Sequence, residues 1–196
     1  MEISEVNIQL FRAINNMGKE YPFLNEPFII LAEYAIFLLM AALLIYWFTR
    51  KQTNRLMVIS AVFSSFLAEI VGKSLGLLYS HHQPFAVLTS VNQLIDKNVG
   101  NSFPSDHTMV FFSVCVSIAL IRRKYWPVWV LLALAVGISR IWVGVHYPVD
   151  IIVGALLGSG SALLVYKVIP SIPFVRQSIY FYEKGENYLF GRSRNL

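Results

Sequence analysis

The chain predicts an all-α integral membrane protein: a bundle of five transmembrane helices, or six, with an N-terminal helix lying in the membrane interface. Three observations carry this. Apolar residues make up 56% of the 196 and charged residues only 14%, too little polar surface for a soluble domain of this length. The apolar residues gather in runs long enough to cross a hydrocarbon core of ~30 Å, which takes ~20 helical residues. Basic residues collect in the turns between alternate runs, as they do in membrane proteins of fixed orientation.

In order along the chain, the stretch 1–26 has no uninterrupted apolar core and so is not read as a signal peptide. Ile3, Val6, Leu10, Ile14 and Met17 recur at helical spacing, with Glu2, Glu5, Arg12 and Lys19 elsewhere around the wheel. That pattern suits a helix in the interface, or a sixth helix folded onto the bundle. The spans follow at about Pro27–Phe48, Leu56–Tyr79, Ser105–Ile121, Tyr125–Val143 and Pro148–Ile169. The third is short, so it starts within the interface or sits behind its neighbours. An aromatic-rich tail (Phe174, Tyr180, Phe181, Tyr182, Tyr188, Phe190) reads as an interfacial anchor. The whole of 1–196 is expected to form one membrane-embedded domain.

Arg50, Lys51 and Arg55 lie in the first turn, Arg122, Arg123 and Lys124 in the third, and Arg176, Lys184, Arg192 and Arg194 in the tail. A five-helix bundle puts all three groups on one side, which the positive-inside rule makes cytoplasmic. The N-terminus, the loop 80–104 and the turn around His146 then face outward. The net charge of +5 is accounted for by this topology, and no nucleic-acid partner is expected. The single cysteine, Cys115, allows no intrachain disulfide and fixes no redox compartment. Oligomeric state is not legible.

Three polar clusters sit at the outward helix ends, where ionisable groups are costly and mark candidate functional sites. The first is Lys73, followed by His81, His82, Gln83 and Pro84. Lys73 is either a point charge for phosphate or a snorkelling partner of Glu69, four residues earlier. The second is Pro104-Ser105-Asp106-His107, at the start of the third span. A helix N-terminus there offers free N–H groups to an anion; capping explains Ser105 or Asp106 but not His107. The third is Ser139-Arg140, five residues, His146, three residues, Asp150. Gly144 suits a helix C-cap and Pro148 a first helical residue, so His146 falls in a tight turn with Asp150 one helical turn on. A hydrogen bond from the imidazole to Asp150 would fix the tautomer and leave the other nitrogen free to attack phosphorus. Arg140 supplies a planar fork for phosphate oxygens, or pairs with Asp150 to hold two helices together.

Lys73, Pro-Ser-Asp-His at 104–107 and Ser-Arg-x5-His-x3-Asp at 139–150 together resemble the three-part signature of the type 2 phosphatidic-acid phosphatase family. The resemblance covers positions 73 to 150. It implies that His146 is the nucleophile, passing through a phosphohistidine, that Asp150 orients it, and that His107 is the general acid. It implies phosphate ligands at Lys73, Ser105 and Arg140, with Gln83, Asp106 and Ser139 as further substrate contacts, and no metal or other cofactor. The chain departs from the family twice. It has His-His-Gln-Pro where the first motif usually ends in Arg-Pro, which removes a phosphate-binding charge or moves it to His81 or His82. It has Asp106 where the second motif usually has glycine.

Small size, His-His-Gln-Pro-Phe and Pro-Ser-Asp-His are most similar to the bacterial undecaprenyl-diphosphatases associated with bacitracin resistance. That resemblance implies a polyprenyl pyrophosphate lipid as substrate, met at the outer face of a bacterial plasma membrane. A phosphatidylglycerophosphate or phosphatidic-acid phosphatase is the alternative within the family. A small transporter would instead place charges along the depth of the bundle. A metal site would have to draw on His81, His82, His146 and Asp150, a thin set for zinc or magnesium. Glu33 and Glu69 are either neutralising partners or accessories beside Lys73 or His81.

Overall fold

A computed structural model describes residues 4–191; Glu2, Ile3, Arg192 and Arg194, used in the sequence reading, lie outside the described residues. The described residues form α1 (Glu5–Glu20), α2 (Asn25–Glu33), α3 (Ala35–Phe48), α4 (Gln52–Leu78), α5 (Pro84–Val87), α6 (Asp106–Ile121), α7 (Trp126–Trp142), α8 (Pro148–Val168) and α9 (Pro173–Phe190), joined by turns and short 3-10 segments. Helices α4, α7 with its lead-in from Arg123, and α8 continued to Ser171 are each long and apolar enough to cross a membrane. The expected first span is not one straight helix: α2 and α3 meet at 47°, and count as a span only together. The break falls at Tyr34, and it leaves the Ala32 carbonyl without its ladder partner. Arg140 Nη1 donates to that carbonyl at 2.8 Å, which satisfies a group the bend would otherwise orphan.

Helix α6 has 16 residues, about 24 Å of length at 1.5 Å per residue, short for a span. It sits behind its neighbours, packed against α4, α7 and α8, with Met109, Phe111, Cys115 and Ile118 fully buried. Small residues permit the close approach. A Cβ at Gly158 would lie 2.6 Å from the Met109 carbonyl oxygen, and one at Gly154 3.1 Å from the Ser105 carbonyl oxygen. Between α4 and α6, Ser65 and Ser113 share a hydrogen bond of 2.8 Å, and Ser64 and Ser117 one of 3.3 Å. Glycines at the contact and paired hydroxyls are how helices associate where lipid gives no hydrophobic drive.

Helix α1 lies across the bundle end where α7 stops and α8 begins. Its polar face points inward: buried Asn15 donates to the carbonyls of Asn92 (2.9 Å) and Trp142 (2.8 Å), and Asn7 accepts from the Val149 N–H at 3.1 Å. Phe11 packs on Tyr147 with ring centroids 5.6 Å apart. Val6, Leu10 and Met17 stay exposed on the opposite face. Both expectations for this segment are therefore partly met, since it docks on the bundle and still turns its apolar stripe outward. At the other end, the buried Arg55 is held by Glu183 at 3.2 Å and by Glu186 of α9, and Tyr182 packs against Trp47. The basic turns and the tail thus share one end of the bundle, and the three polar clusters share the other.

Candidate active site

Helix ends bring the polar residues together. The break after α7 is made by Gly144, whose φ of +86° is left-handed and whose position tolerates no side chain, since a Cβ would sit 2.9 Å from the Asn92 carbonyl oxygen. The N–H of His146 then donates to the Arg140 carbonyl at 3.3 Å, which sets the imidazole into the bundle mouth. Pro148 opens α8, and Asp150, at its third position, reaches back to accept the Tyr147 N–H at 2.9 Å.

His146 and Asp150 are both buried. His146 Nδ1 lies 2.9 Å from the Ser102 carbonyl oxygen, 3.2 Å from Ser102 Oγ and 3.5 Å from Asp150 Oδ2. A carbonyl only accepts, so the network assigns the hydrogen to Nδ1 and the lone pair to Nε2. The sequence reading credits Asp150 with fixing this tautomer; the nearer group is the Ser102 carbonyl. The Asp150 carboxylate instead collects donors. Oδ2 accepts from Ser102 Oγ at 2.6 Å, and Oδ1 stands 2.9 Å from His81 Nε2. That last contact is close but off the hydrogen-bond axis, so it is counted as electrostatic. Burial pushes the His146 pKa down to about 4, against the pull of Asp150, and the cations Lys97 and Arg140 push the same way as burial. The ring is neutral at ordinary pH.

The imidazole's other nitrogen faces Lys97, whose Nζ is 3.1 Å from Nε2. Burial and the Arg140 guanidinium lower the Lys97 pKa to about 8, with Asp106 and Asp150 opposing. Arg140 is buried, with one Nη tied to Ala32 and its Nε without a hydrogen-bond partner among the described residues. Glu33 and Asp106 lie within electrostatic reach of it. His107, in the first turn of α6, is within electrostatic reach of Arg140, His146 and Lys97. Ser105 is buried at the N-cap position, where its hydroxyl accepts from Thr108 Oγ1 at 3.0 Å and its N–H donates to the Asp150 carbonyl at 3.3 Å.

Three residues expected among the substrate contacts stand elsewhere. Lys73 is 75% exposed and paired with Glu69 at 3.7 Å, the local alternative that i,i+4 spacing on α4 offers. Gln83 is buried, its Oε1 accepting the Gly100 N–H at 2.9 Å, so it closes the base of the loop 80–104. Ser139 Oγ donates to the Val136 carbonyl at 2.7 Å, inside its own helix. Asp106 is exposed at the rim of the site. His82, one candidate for the displaced charge, is exposed with Nδ1 3.1 Å from the Gly100 carbonyl oxygen, and His81 is committed to Asp150. Sequence reasoning passed over Ser102 and Lys97. The one signal for Lys97 was that 80–104 contains no other Lys or Arg. Among the described residues no group of three or more His, Cys, Asp or Glu is arranged to hold a metal.

Residues 56–173 match the model of the PAP2 superfamily. The bacitracin transport permease protein BcrC of Bacillus licheniformis is 52% identical over 95% of this chain and 92% of its own length. The undecaprenyl-diphosphatase BcrC of Bacillus subtilis (strain 168) is 30% identical over 91% of this chain and 92% of its own. Among solved structures, Aquifex aeolicus LpxE superposes with a TM-score of 0.70 at 27% identity, covering 85% of this chain and 98% of that one. A transmembrane PAP2-type phosphatidylglycerolphosphate phosphatase from Bacillus subtilis shares the fold, with a TM-score of 0.61 at 20% identity over 86% of this chain and 89% of that one.

Proposed function

We propose that this multi-pass membrane protein, which belongs to the PAP2 superfamily, is an undecaprenyl pyrophosphate phosphatase that recycles the cell-wall lipid carrier at the outer face of a bacterial plasma membrane and so confers bacitracin resistance. The observation that carries the reading is the His146 ring: neutral, held through Nδ1 by a carbonyl, with its Nε2 lone pair directed at a cluster of cations at the mouth of the bundle. A buried base so oriented is a nucleophile waiting for an electrophilic phosphorus. Nε2 attacks the terminal phosphorus, and the P–N bond forms as the P–O bond to undecaprenyl monophosphate breaks. His107 gives its proton to the leaving oxygen. Water, deprotonated by His107, then attacks phosphorus and the P–N bond breaks, releasing phosphate. Asp150 offsets the positive charge the ring carries while phosphorylated, and Arg140, with its unpaired Nε, meets the phosphoryl oxygens at the N-terminus of α6.

An apolar cavity supports a lipid-tailed substrate: about 270 Å³ between α3, α4 and α6, it is lined by Ile36, Leu39, Met40, Val62 and Phe66, together with Glu69. The B. subtilis relative named for undecaprenyl diphosphate supports that choice of lipid, and the basic turns at the opposite end support an outward-facing site. The B. licheniformis relative is named as a permease, which keeps transport of bacitracin as a second reading. Against it, the bundle below the site is filled by α6, and the hydroxyls between α4 and α6 pair with one another, leaving a packed seam in place of a wet path.

His146→Ala separates the readings. The phosphatase reading expects loss of phosphate release from undecaprenyl pyrophosphate, loss of acid-labile label on the protein, and loss of bacitracin resistance together. Resistance retained by a variant without phosphatase activity would favour transport. Phosphatidylglycerophosphate run beside it decides the lipid: equal or better turnover of that substrate overturns the assignment.

A further inference from the structure

We infer that Lys97 is the mobile phosphate-gripping cation of this site, capping the His146 Nε2 lone pair until a substrate phosphate draws the ammonium off and takes it as a ligand. The inference rests on the reading of His146 as nucleophile. An ammonium has hydrogens to give and no lone pair, so the 3.1 Å contact is Nζ donating to Nε2. The same lone pair is the one that must reach phosphorus. Nucleophile and Lys97 therefore cannot keep this contact through the reaction. A phosphorus placed for attack stands ~3–3.5 Å from Nε2, which brings its oxygens within hydrogen-bond reach of an Nζ that started 3.1 Å from the same nitrogen.

The other candidate cations are committed. Lys73 faces outward on Glu69, His81 is on Asp150, His82 is exposed on a backbone carbonyl, and Gln83 is uncharged and holds Gly100. Arg140 is tethered through one Nη to the bend at Ala32. A pyrophosphate needs more positive charge than Arg140 alone. Lys97 supplies it on an unbranched stem free to rotate, which a stacked or forked guanidinium is not. Its loop is strapped on both sides. Before it, the Leu94 N–H donates to the Val143 carbonyl at 3.2 Å and Ile95 is buried against Trp142 and Val145. After it, Gly100 bonds Gln83, and Ser102 bonds both His81 and Asp150. The backbone is thereby fixed while the side chain spans the gap to His146. The charged and titratable groups facing Nζ are Arg140 from α7, Asp106 and His107 from α6, Asp150 from α8 and His146 from the turn.

The test uses the full-length protein with undecaprenyl pyrophosphate as substrate and inorganic phosphate as competing anion. Lys97→Met is expected to lower kcat/KM ~10²–10³-fold, the range for losing one charged phosphoryl ligand, and to weaken inhibition by phosphate ~10-fold or more. It should also speed modification of His146 Nε2 by diethyl pyrocarbonate, read by peptide mapping, because the lone pair loses its cap. Lys97→Arg should stay within about 10-fold of the parent in kcat/KM, and should lose the alkaline limb that the lysine gives the pH profile, since a guanidinium does not titrate there. A Lys97→Met protein within about 2-fold of the parent in kcat/KM and in phosphate inhibition overturns the inference. So does an alkaline limb unmoved in Lys97→Arg, which decides the matter alone where the Met variant does not fold. If His146→Ala keeps its activity, the failure lies in the assignment of the nucleophile, and Lys97 is not to blame.

Discussion

Replacing Asp150 by Asn isolates the carboxylate's charge from its geometry. Both bonds that position it end on Oδ2, from Ser102 Oγ at 2.6 Å and the Tyr147 N–H at 2.9 Å. An asparagine oxygen placed there keeps both, and its NH2 then points at His81 Nε2, which can accept. The fold should therefore survive. Nor should the His146 tautomer flip, because the Ser102 carbonyl holds Nδ1–H at 2.9 Å. In the serine-protease triad the same change costs ~10⁴-fold in kcat through the wrong tautomer. Here only the charge is lost. A carboxylate oxygen 3.5 Å from Nδ1 stabilises a full charge on the ring by about 5 kcal/mol at an effective dielectric near ~20. A transition state with part of that charge loses about 3–4 kcal/mol, roughly 10²–10³-fold in rate. Single-turnover formation of phosphohistidine from radiolabelled undecaprenyl pyrophosphate measures it. A loss under about 5-fold would refute the charge role. A loss as complete as that of His146→Ala, in protein with an unchanged Tm, would show that the tautomer does depend on Asp150.

Other consequences follow from the same geometry. The free-enzyme kcat/KM should require His146 without its proton, lost near pH 4, and His107 still carrying the one it donates, with a further fall as Lys97 loses its proton near pH 8; a profile rising only through pH 6–7 would mean that His146 is not desolvated as its burial requires. Ser102→Ala removes a donor to Asp150 but leaves the carbonyl that holds His146, so a roughly 10-fold fall in kcat with little change in KM is expected from steady-state kinetics. Activity should withstand a chelator, since Arg140 and Lys97 supply the positive charge that metals give elsewhere; phosphate release measured with and without EDTA checks it. Gly158→Ala should destabilise the bundle by about 1–3 kcal/mol, because its Cβ meets the Met109 carbonyl at 2.6 Å, whereas Gly160→Ala, with nothing within 4 Å, should leave Tm unchanged.

Much of this architecture is legible because the bilayer imposes it. Apolar runs of span length, basic turns and helix-start residues are local in sequence, and of the five segments they mark four appear as single helices and the first as the bent pair α2 and α3. His146, Asp150 and Arg140 were legible for a related reason: they lie within one turn-and-helix unit, where Gly144 and Pro148 fix the geometry. What failed to show was long-range. The bend at Tyr34 answers to Arg140, more than a hundred positions later. Lys73 makes the pair with Glu69 that i,i+4 spacing offers, and that spacing says nothing about which face the helix turns to α6. Ser102 contributes a backbone carbonyl, a group every residue carries, and a hydroxyl whose partner, Asp150, lies 48 positions on, so nothing local in the sequence flags it.

Lys97 differs from these, because charge patterning did carry a trace of it. Outward loops of membrane proteins are depleted in Lys and Arg, and 80–104, which the proposed orientation would turn outward, carries only this one. A cation retained against the topological trend has to be offset by something local. The sequence sets Asp96 beside it, a ready partner for an ordinary surface lysine. The structure instead turns Lys97 inward, toward a buried imidazole and an arginine that lowers its own pKa. Asp106 and Asp150 stand within electrostatic reach of Lys97, and Glu33 and Asp106 within reach of Arg140, so nearby carboxylates offset part of the charge of the two cations. Lys97 is thereby placed where, on the proposed reading, a substrate phosphate draws it off the imidazole.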